Sequence, residues 1–313
     1  MRKLILLFLF IILIYTSFSL KRNESFYNYE SKPTIAIQTV FILKENLPFL
    51  EEWIVYHKKI GVDKFYLYDN TGSKYKKNGD YLNKRLMDYN KIIKLNDREV
   101  EIEMNKLKKK YPEIVLVKWQ PRDNNNNITY GQLDAIKHYI KNYGNECDYT
   151  AFTDTDEFIY VTNEDSLKDY IKEKKTDKFV IQQTKMNDRF CGSIKNNSIL
   201  DITSTLDIKS QWAPKNIINN SAININNIKS IHNIPIKTNN SYKCNKSELY
   251  FFHFNISNTE TQWIKTHYKK ETLNKINNNT LNNFSKKNNI YSESKFLNKN
   301  YIKDNKTKLC YMY

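Results

Sequence analysis

The sequence predicts an α/β fold with a mostly parallel central sheet. Three observations predict it. Strand-like apolar runs alternate with helical patterns from Thr34 to Gln183. A core of the required size is available, because 40% of the 313 residues are apolar and 14% aromatic, with 23 Tyr and 16 Phe. Acidic residues also stand at the ends of strand-like runs, where open α/β sheets bind their ligands.

The elements follow in order. The first 22 residues contain an uncharged apolar run, Leu4 to Leu20, with Arg2 and Lys3 before it and Lys21 and Arg22 after it. At 17 residues it lies at the short end for a spanning helix, and it also fits a signal peptide cleaved after Ser17-Phe18-Ser19. The expectation is a single-pass signal anchor at 1–22 with the remainder in the secretory lumen, or a secreted chain if the segment is removed. Residues 23–33 read as a short polar stem. "TIAIQTVFIL" from Thr34 is a buried strand. In "NLPFLEEWIVYHKKIG", Leu50, Trp53, Ile54 and His57 recur at helical spacing and Gly61 ends the pattern. "DKFYLYDN" is a second strand, ending in Asp69 and Asn70. Residues 71–110 are polar and lysine-rich, an insertion with some helix.

"EIVLVKW" is the third strand, "YGQLDAIKHYIKNYG" an amphipathic helix closed by Gly144, and "YTAFTD" the fourth strand. "NEDSLKDYIKEKK" opens on residues suited to N-capping a helix, and "KFVIQQ" is the fifth strand. Residues 271–313 form an Asn/Lys-rich tail of weak periodicity. The formal charge of +16 invites a nucleic-acid partner. The bias toward Lys, Asn, Ile and Tyr is instead that of AT-rich coding. With neither an Arg-rich block nor a zinc-finger or helix-turn-helix signature, no nucleic acid is expected. The four cysteines (Cys147, Cys191, Cys244, Cys310) are too scattered for a metal-ligand pattern. In an oxidising compartment Cys191 and Cys244 could pair.

"YTAFTDTDEFIY", Tyr149 to Tyr160, places Asp154, Asp156 and Glu157 inside an aromatic strand-like run. Side chains at i and i+2 of an extended segment project to one side. Asp154 and Asp156 can therefore hold one hard divalent cation, Mn²⁺ or Mg²⁺, and through it a nucleotide diphosphate. A calcium loop is excluded, because Ile159 stands where the EF-hand requires Gly. A haloacid-dehalogenase-like phosphatase would follow its Asp-x-Asp with Gly-Thr near the chain start, whereas Glu157-Phe158 follows in mid-chain. Capping acids in a loop remain the plain alternative.

"FILKENLPFLEEWIVYHKKIGVDKFYLYDN" (Phe41 to Asn70) resembles the start of glycosyltransferase family 92 and related family-2-like transferases. "YTAFTDTDEFIY" resembles their Asp-x-Asp-Glu-Phe motif, and "GQLDAIKHYI" their Gln-containing helix. "RFCGS" resembles a Phe-Gly-Ser element with Cys191 interposed. "KNIINNSAININNIKSIHNIP" and "FFHFNISNTETQWIKTHY" resemble the later Lys…His and His-Tyr…Ser…Trp segments, with Phe254 in place of Tyr.

This resemblance implies a GT-A domain over 34–270, acting on a UDP-sugar donor and a glycan or glycoprotein acceptor with inversion. It implies Asp156 as the direct metal ligand, and Asp154 on the ribose or on the metal through water. His232 and His253 become candidates for a late metal ligand. It also implies Lys44, Glu45, Asp69 and Gln132 at the nucleotide, Lys215 at the diphosphate, and Asp188 or Asp201 as the base that deprotonates the acceptor. Trp53, Tyr56 and His57 are expected in the core. A catalytically silent member that still binds nucleotide or glycan is the rival reading.

Overall fold

The computed structural model describes residues 31–73, 75–77, 80–82, 95–162, 166–185, 204–206, 213–254, 275–277 and 280–288, without the side chains of residue 45 and a few others. Asp188, Asp201, Cys191 and the 1–22 segment lie outside the described residues. No helix among the described residues is long and apolar enough to cross a membrane. The fold below is that of the unit Pro33–Tyr313.

Strand β1 (Ile35–Phe41) is buried at all seven positions. Helix α1 (Leu43–Lys59) follows at once, so Lys44 and Glu45 lie in its first turn. Its N-cap residue, Ile42, offers no side-chain hydrogen bond. The neighbouring strand β2 (Lys64–Asp69) supplies the acceptor instead, with Asp69 Oδ1 taking the Leu43 N–H at 3.1 Å. A short hairpin, β3 (Tyr75–Lys77) and β4 (Asp80–Leu82), occupies part of the lysine-rich insertion. Helix α2 (Asp97–Lys110) completes it, started by an Asn96/Glu99 capping box. Strand β5 (Ile114–Lys118), helix α3 (Gln132–Tyr143) and strand β6 (Tyr149–Phe152) come next.

The order then becomes less regular. β7 (Glu157–Val161) leads into α4 (Leu167–Lys174), capped by Ser166, and β8 (Lys178–Lys185). β9 (Ser204–Leu206), β10 (Lys215–Asn219), β11 (Ser241–Lys243) and β12 (Leu249–His253) follow. β13 (Lys275–Asn277) pairs with β9, and α5 (Thr280–Lys287) lays Leu281 in the core.

The main sheet has nine strands, ordered β5-β2-β1-β6-β10-β8-β12-β7 with β11 also on β8. All pairs are parallel except those made by β10 and β7, so the expected mostly parallel sheet is the one observed. Helices α1 and α2 cover one face through Trp53, Ile54, Val100 and Met104. α3 covers the other, setting Ala135, Ile136 and Tyr139 against Ala36, Tyr66, Tyr68 and Phe152.

The sheet curls, and covalent reach requires it. β6 and β7 are four strand spacings apart, roughly 19 Å if flat. The chain from Phe152 to Glu157 stretches to about 18 Å at most, and it is folded into a turn by the Glu157 N–H bonding Asp154 O at 3.1 Å. The last strands therefore wrap around α1, which bonds β7 with three side chains. Trp53 Nε1 donates to Glu157 O (2.9 Å), Tyr56 OH donates to Ile159 O (2.7 Å), and Ile159 N–H donates to His57 Nε2 (3.4 Å).

Candidate functional site

Strands β1, β2, β6, β8 and β12 end at one edge of the sheet. Because β10 and β7 run the other way, they begin there. The Asp-x-Asp-Glu turn lies on this edge. Its backbone closes on itself: the Glu157 N–H reaches Asp154 O, and the Asp154 N–H donates to Glu157 Oε2 at 2.9 Å. Thr155 between them donates its hydroxyl to Asn46 Oδ1 of α1 at 2.7 Å, and Phe254 N–H holds Asp156 O at 2.9 Å. The two acids are thus fixed from both sides of the turn.

Lys215, the first residue of β10, is buried with its ammonium between two of the carboxylates. Nζ lies 2.5 Å from Asp154 Oδ2 and 3.1 Å from Glu157 Oε2. Burial alone would lower its pKa, but the Asp154 and Glu157 charges outweigh it and hold the ammonium well above its ordinary value. Burial pushes the Glu157 carboxyl up to about 7, with Lys215 pulling the other way. The cluster is one coupled unit whose internal cation is a lysine.

On the far side of the turn, His253 at the end of β12 sits opposite Glu157 in register. Its Nε2 is 3.6 Å from Asp156 Oδ2, and its Nδ1 is 3.1 Å from Gln183 Oε1 of β8. His232 lies beside Lys215 with its Nδ1 on Pro214 O at 3.1 Å; burial and then the Lys215 charge lower its pKa, with the Asp154 charge pulling the other way. Of the two histidines, His253 is the one in ion-pair contact with the acids among the described residues. Asp156 and His253, a carboxylate oxygen and an imidazole nitrogen, suit a divalent cation of the Mn²⁺ or Mg²⁺ kind. No group of three or more His, Cys, Asp or Glu side chains arranged to hold an ion occurs among the described residues. Asp154 gives Oδ2 to Lys215, and its Oδ1 lies 3.4 Å from Gln132 Nε2.

The remaining sequence candidates divide. Gln132 opens α3 beside the turn, its Nε2 3.4 Å from Asp154 Oδ1. It follows Gly131, whose left-handed backbone (φ 52°) turns the chain into the helix. Asp69 lies at the same edge, but its Oδ1 is spent on structure, taking Leu43 N, Thr71 N and the Thr71 hydroxyl. Lys44 pairs with the exposed Asp97 at 3.2 Å. Glu45 lies in the helix, with its side chain outside the described residues. Cys244 is a buried thiol, and the pairing with Cys191 falls outside the described residues.

Sequence reasoning missed the polar strand interior. Gln38, Thr39 and Thr153 are almost fully buried beside the turn. The signal for them was present: "QT" inside an apolar strand and "TD" at the end of another are costly unless something bonds them.

The family model described as "Glycosyltransferase family 92" matches residues 32–298. Among curated proteins none matches. Among solved structures the chain is similar to S. aureus TarS 1–349, at 11% identity and TM-score 0.39, covering 76% of this chain and 67% of that one. The complex of the same protein with UDP gives 12% identity and TM-score 0.36, over 76% and 68% of the two chains. The apo structure of the bifunctional glycosyltransferase WbbM gives 9% and 0.28, over 62% and 32%. These likenesses are too weak to add to the assignment. The family match spans most of the chain, includes the acidic turn, Lys215 and His253, and leads to one conclusion: the chain belongs to glycosyltransferase family 92.

Proposed function

We propose that the protein transfers a hexose, galactose in the first instance, from a UDP-sugar to a hydroxyl of a glycan or glycoprotein, with inversion. The observation that carries this reading is the gathering of three distant parts of the chain on the acidic turn at the carboxyl edge of the sheet, Lys215 against Asp154 and Glu157 and His253 against Asp156. Asp156 and His253 would hold a divalent cation, and when bound that cation neutralises charge on the departing diphosphate. Lys215 adds a fixed positive charge behind the turn, and Gln132 and Asp69 face the nucleotide. Asp188 or Asp201 takes the acceptor proton. The acceptor oxygen bonds the anomeric carbon as the carbon–oxygen bond to the diphosphate breaks, so UDP leaves with the electron pair. The 1–22 segment anchors the enzyme in a secretory membrane.

The test is UDP release from UDP-galactose by protein lacking residues 1–22, with and without Mn²⁺. Asp156→Ala and His253→Ala should each lower turnover by about a hundredfold or more. Full turnover in Asp156→Ala would remove the metal site. UDP binding without transfer to any acceptor would mark a silent member of the family.

A further inference from the structure

Asn-x-Ser/Thr triplets recur along the chain. In a protein that enters the secretory lumen, such a triplet on an accessible loop is an acceptor for an N-linked glycan. In a sequence this rich in Asn the triplet alone says little, but the structure sorts the triplets. Four lie outside the α-helices among the described residues, beginning at Asn127, Asn219, Asn239 and Asn245.

Two of them are spent on the fold. Asn219 Oδ1 takes both the N–H (3.1 Å) and the hydroxyl (2.8 Å) of Ser221, and its Nδ2 lies 3.3 Å from Asp177 Oδ1. Half-buried Asn127 turns its Nδ2 toward Asp123 Oδ1 at 3.4 Å, and the Thr129 hydroxyl of the same triplet lies 3.4 Å from Pro121 O.

The other two are open. Asn239 and Asn245 are exposed, and so are Ser241 and Ser247, which complete their triplets. Asn240 holds the first loop in place, donating to Lys175 O at 3.2 Å and accepting from the Thr176 hydroxyl at 2.8 Å. Its neighbour Asn239 is left to solvent. Asn245 takes the Ser247 N–H on Oδ1 at 3.1 Å, a bond that uses the oxygen and spares the nitrogen. Glycan attaches to Nδ2, and neither Asn239 nor Asn245 gives that atom a protein partner among the described residues.

Placement supports the same pair. The two triplets flank β11, which pairs with β8 on one side and with no strand on the other among the described residues. An open edge of this kind can recruit another chain unless something covers it. The acidic turn is at the other end of these strands. β11 lies along Lys178 to Val180, where β8 starts, and the turn after Asn245 leads into β12, which brings His253 to the rim at its last residue. A glycan at either position leaves the site open.

We propose that Asn239 and Asn245 carry N-linked glycans that shield the open edge of β11. This rests on the secretory placement given above and adds two modification sites to it. In the step, Asn Nδ2 bonds the anomeric carbon of an oligosaccharide carried on a lipid pyrophosphate, under the oligosaccharyltransferase of the lumen. The bond from that carbon to the pyrophosphate oxygen breaks, the lipid pyrophosphate leaves with the electron pair, and the amide nitrogen gives up one proton.

The experiment expresses the full-length chain in cells that N-glycosylate in their secretory lumen. Protease protection in isolated vesicles reads translocation. Peptide mass spectrometry after enzymatic glycan release, which converts each carrier Asn to Asp, reads the sites. Conversion is expected at positions 239 and 245 and not at 127 or 219. Ser241→Ala and Ser247→Ala, which break the triplets and leave both asparagines in place, should each lose one glycan. The wild-type map stands even if a variant fails to fold. A protected chain without glycan at 239 and 245 would overturn the proposal and spare the secretory reading. Glycan at 127 or 219 in their place would overturn it as well. A chain open to protease would remove the secretory reading, and the glycans with it.

Discussion

At the scale of single residues, Lys215 decides the character of the site. Three carboxylates crowd one turn, and the buried ammonium holds two of them together. Removing one partner of a buried charge cluster typically costs about 3–5 kcal/mol, because the other charges stay behind uncompensated. Lys215→Met should therefore lower stability to urea by roughly that much at pH 7. The deficit should shrink as the pH is lowered, because Glu157, pushed up to about 7 by burial, can then take up a proton. A loss below about 1 kcal/mol would mean that the turn is held by its backbone alone.

His57 makes the opposite argument. Its Nδ1 donates to Trp53 O at 2.8 Å and its Nε2 accepts from Ile159, so the ring is held neutral in the fold. Burial lowers its pKa to about 3. The unfolded chain takes up a proton near 6.5 and the folded chain does not, so stability falls as pH drops below that value. Between pH 7 and pH 5 the loss from this ring alone is about 2 kcal/mol. Comparing urea unfolding of wild type and His57→Gln at the two pH values should show that difference. Equal slopes would place the ring's proton elsewhere.

At the scale of elements, two of the motifs that carried the family resemblance, the Phe41 to Asn70 stretch and the acidic-turn strand, are bonded to each other. Trp53, Tyr56 and His57 looked like core residues, and they are buried. Their polar atoms, however, hold the backbone of the strand that begins at Glu157. Helical periodicity reveals which face is buried but not which strand edge it meets, and so this link was not legible. What was legible is what local pattern dictates: β1, α1, β2, β5, α3, β6, α4 and β8 fall where the alternation placed them. Strands β7 and β10 were less visible because both run antiparallel to their neighbours and so fall outside the parallel pattern that the strand–helix alternation predicts.

Gly131 is an element-scale position of the same kind. It keeps a left-handed backbone, and a Cβ there would stand 2.6 Å from Pro121 Cγ. Gly131→Ala should cost about 1–2 kcal/mol from the backbone alone. It should also move Gln132 away from Asp154, raising KM for the donor more than it lowers kcat. An unchanged KM would separate Gln132 from the nucleotide.

At the scale of the whole molecule, the site is assembled from distant sequence. Asp154 and Lys215 are 61 residues apart, and Asp156 meets His253 only when β12 has docked beside β7. The residue types were readable beforehand, including Asp156, His253 and Lys215. Which of them touch was not, because Lys215 could equally have faced a phosphate as a carboxylate. A ligand bridging these parts binds only the folded chain. UDP with Mn²⁺ at a hundredfold excess over Kd should add about 2.7 kcal/mol. Tm should then rise by roughly 5–10 °C, as read by thermal unfolding. No shift would mean that the assembled edge is not the nucleotide site.

The three helix side chains on β7 have one more consequence. A strand at the end of a sheet ordinarily leaves a row of backbone groups open to pairing with another chain. Here Glu157 O, Ile159 N–H and Ile159 O are already taken by indole, imidazole and phenol. This stretch of the rim that carries the acidic turn is occupied by side chains, so a foreign strand finds these three groups already paired. Deuterium should reach the Ile159 amide only by passage through large-scale unfolding, making this edge one of the slowest to exchange.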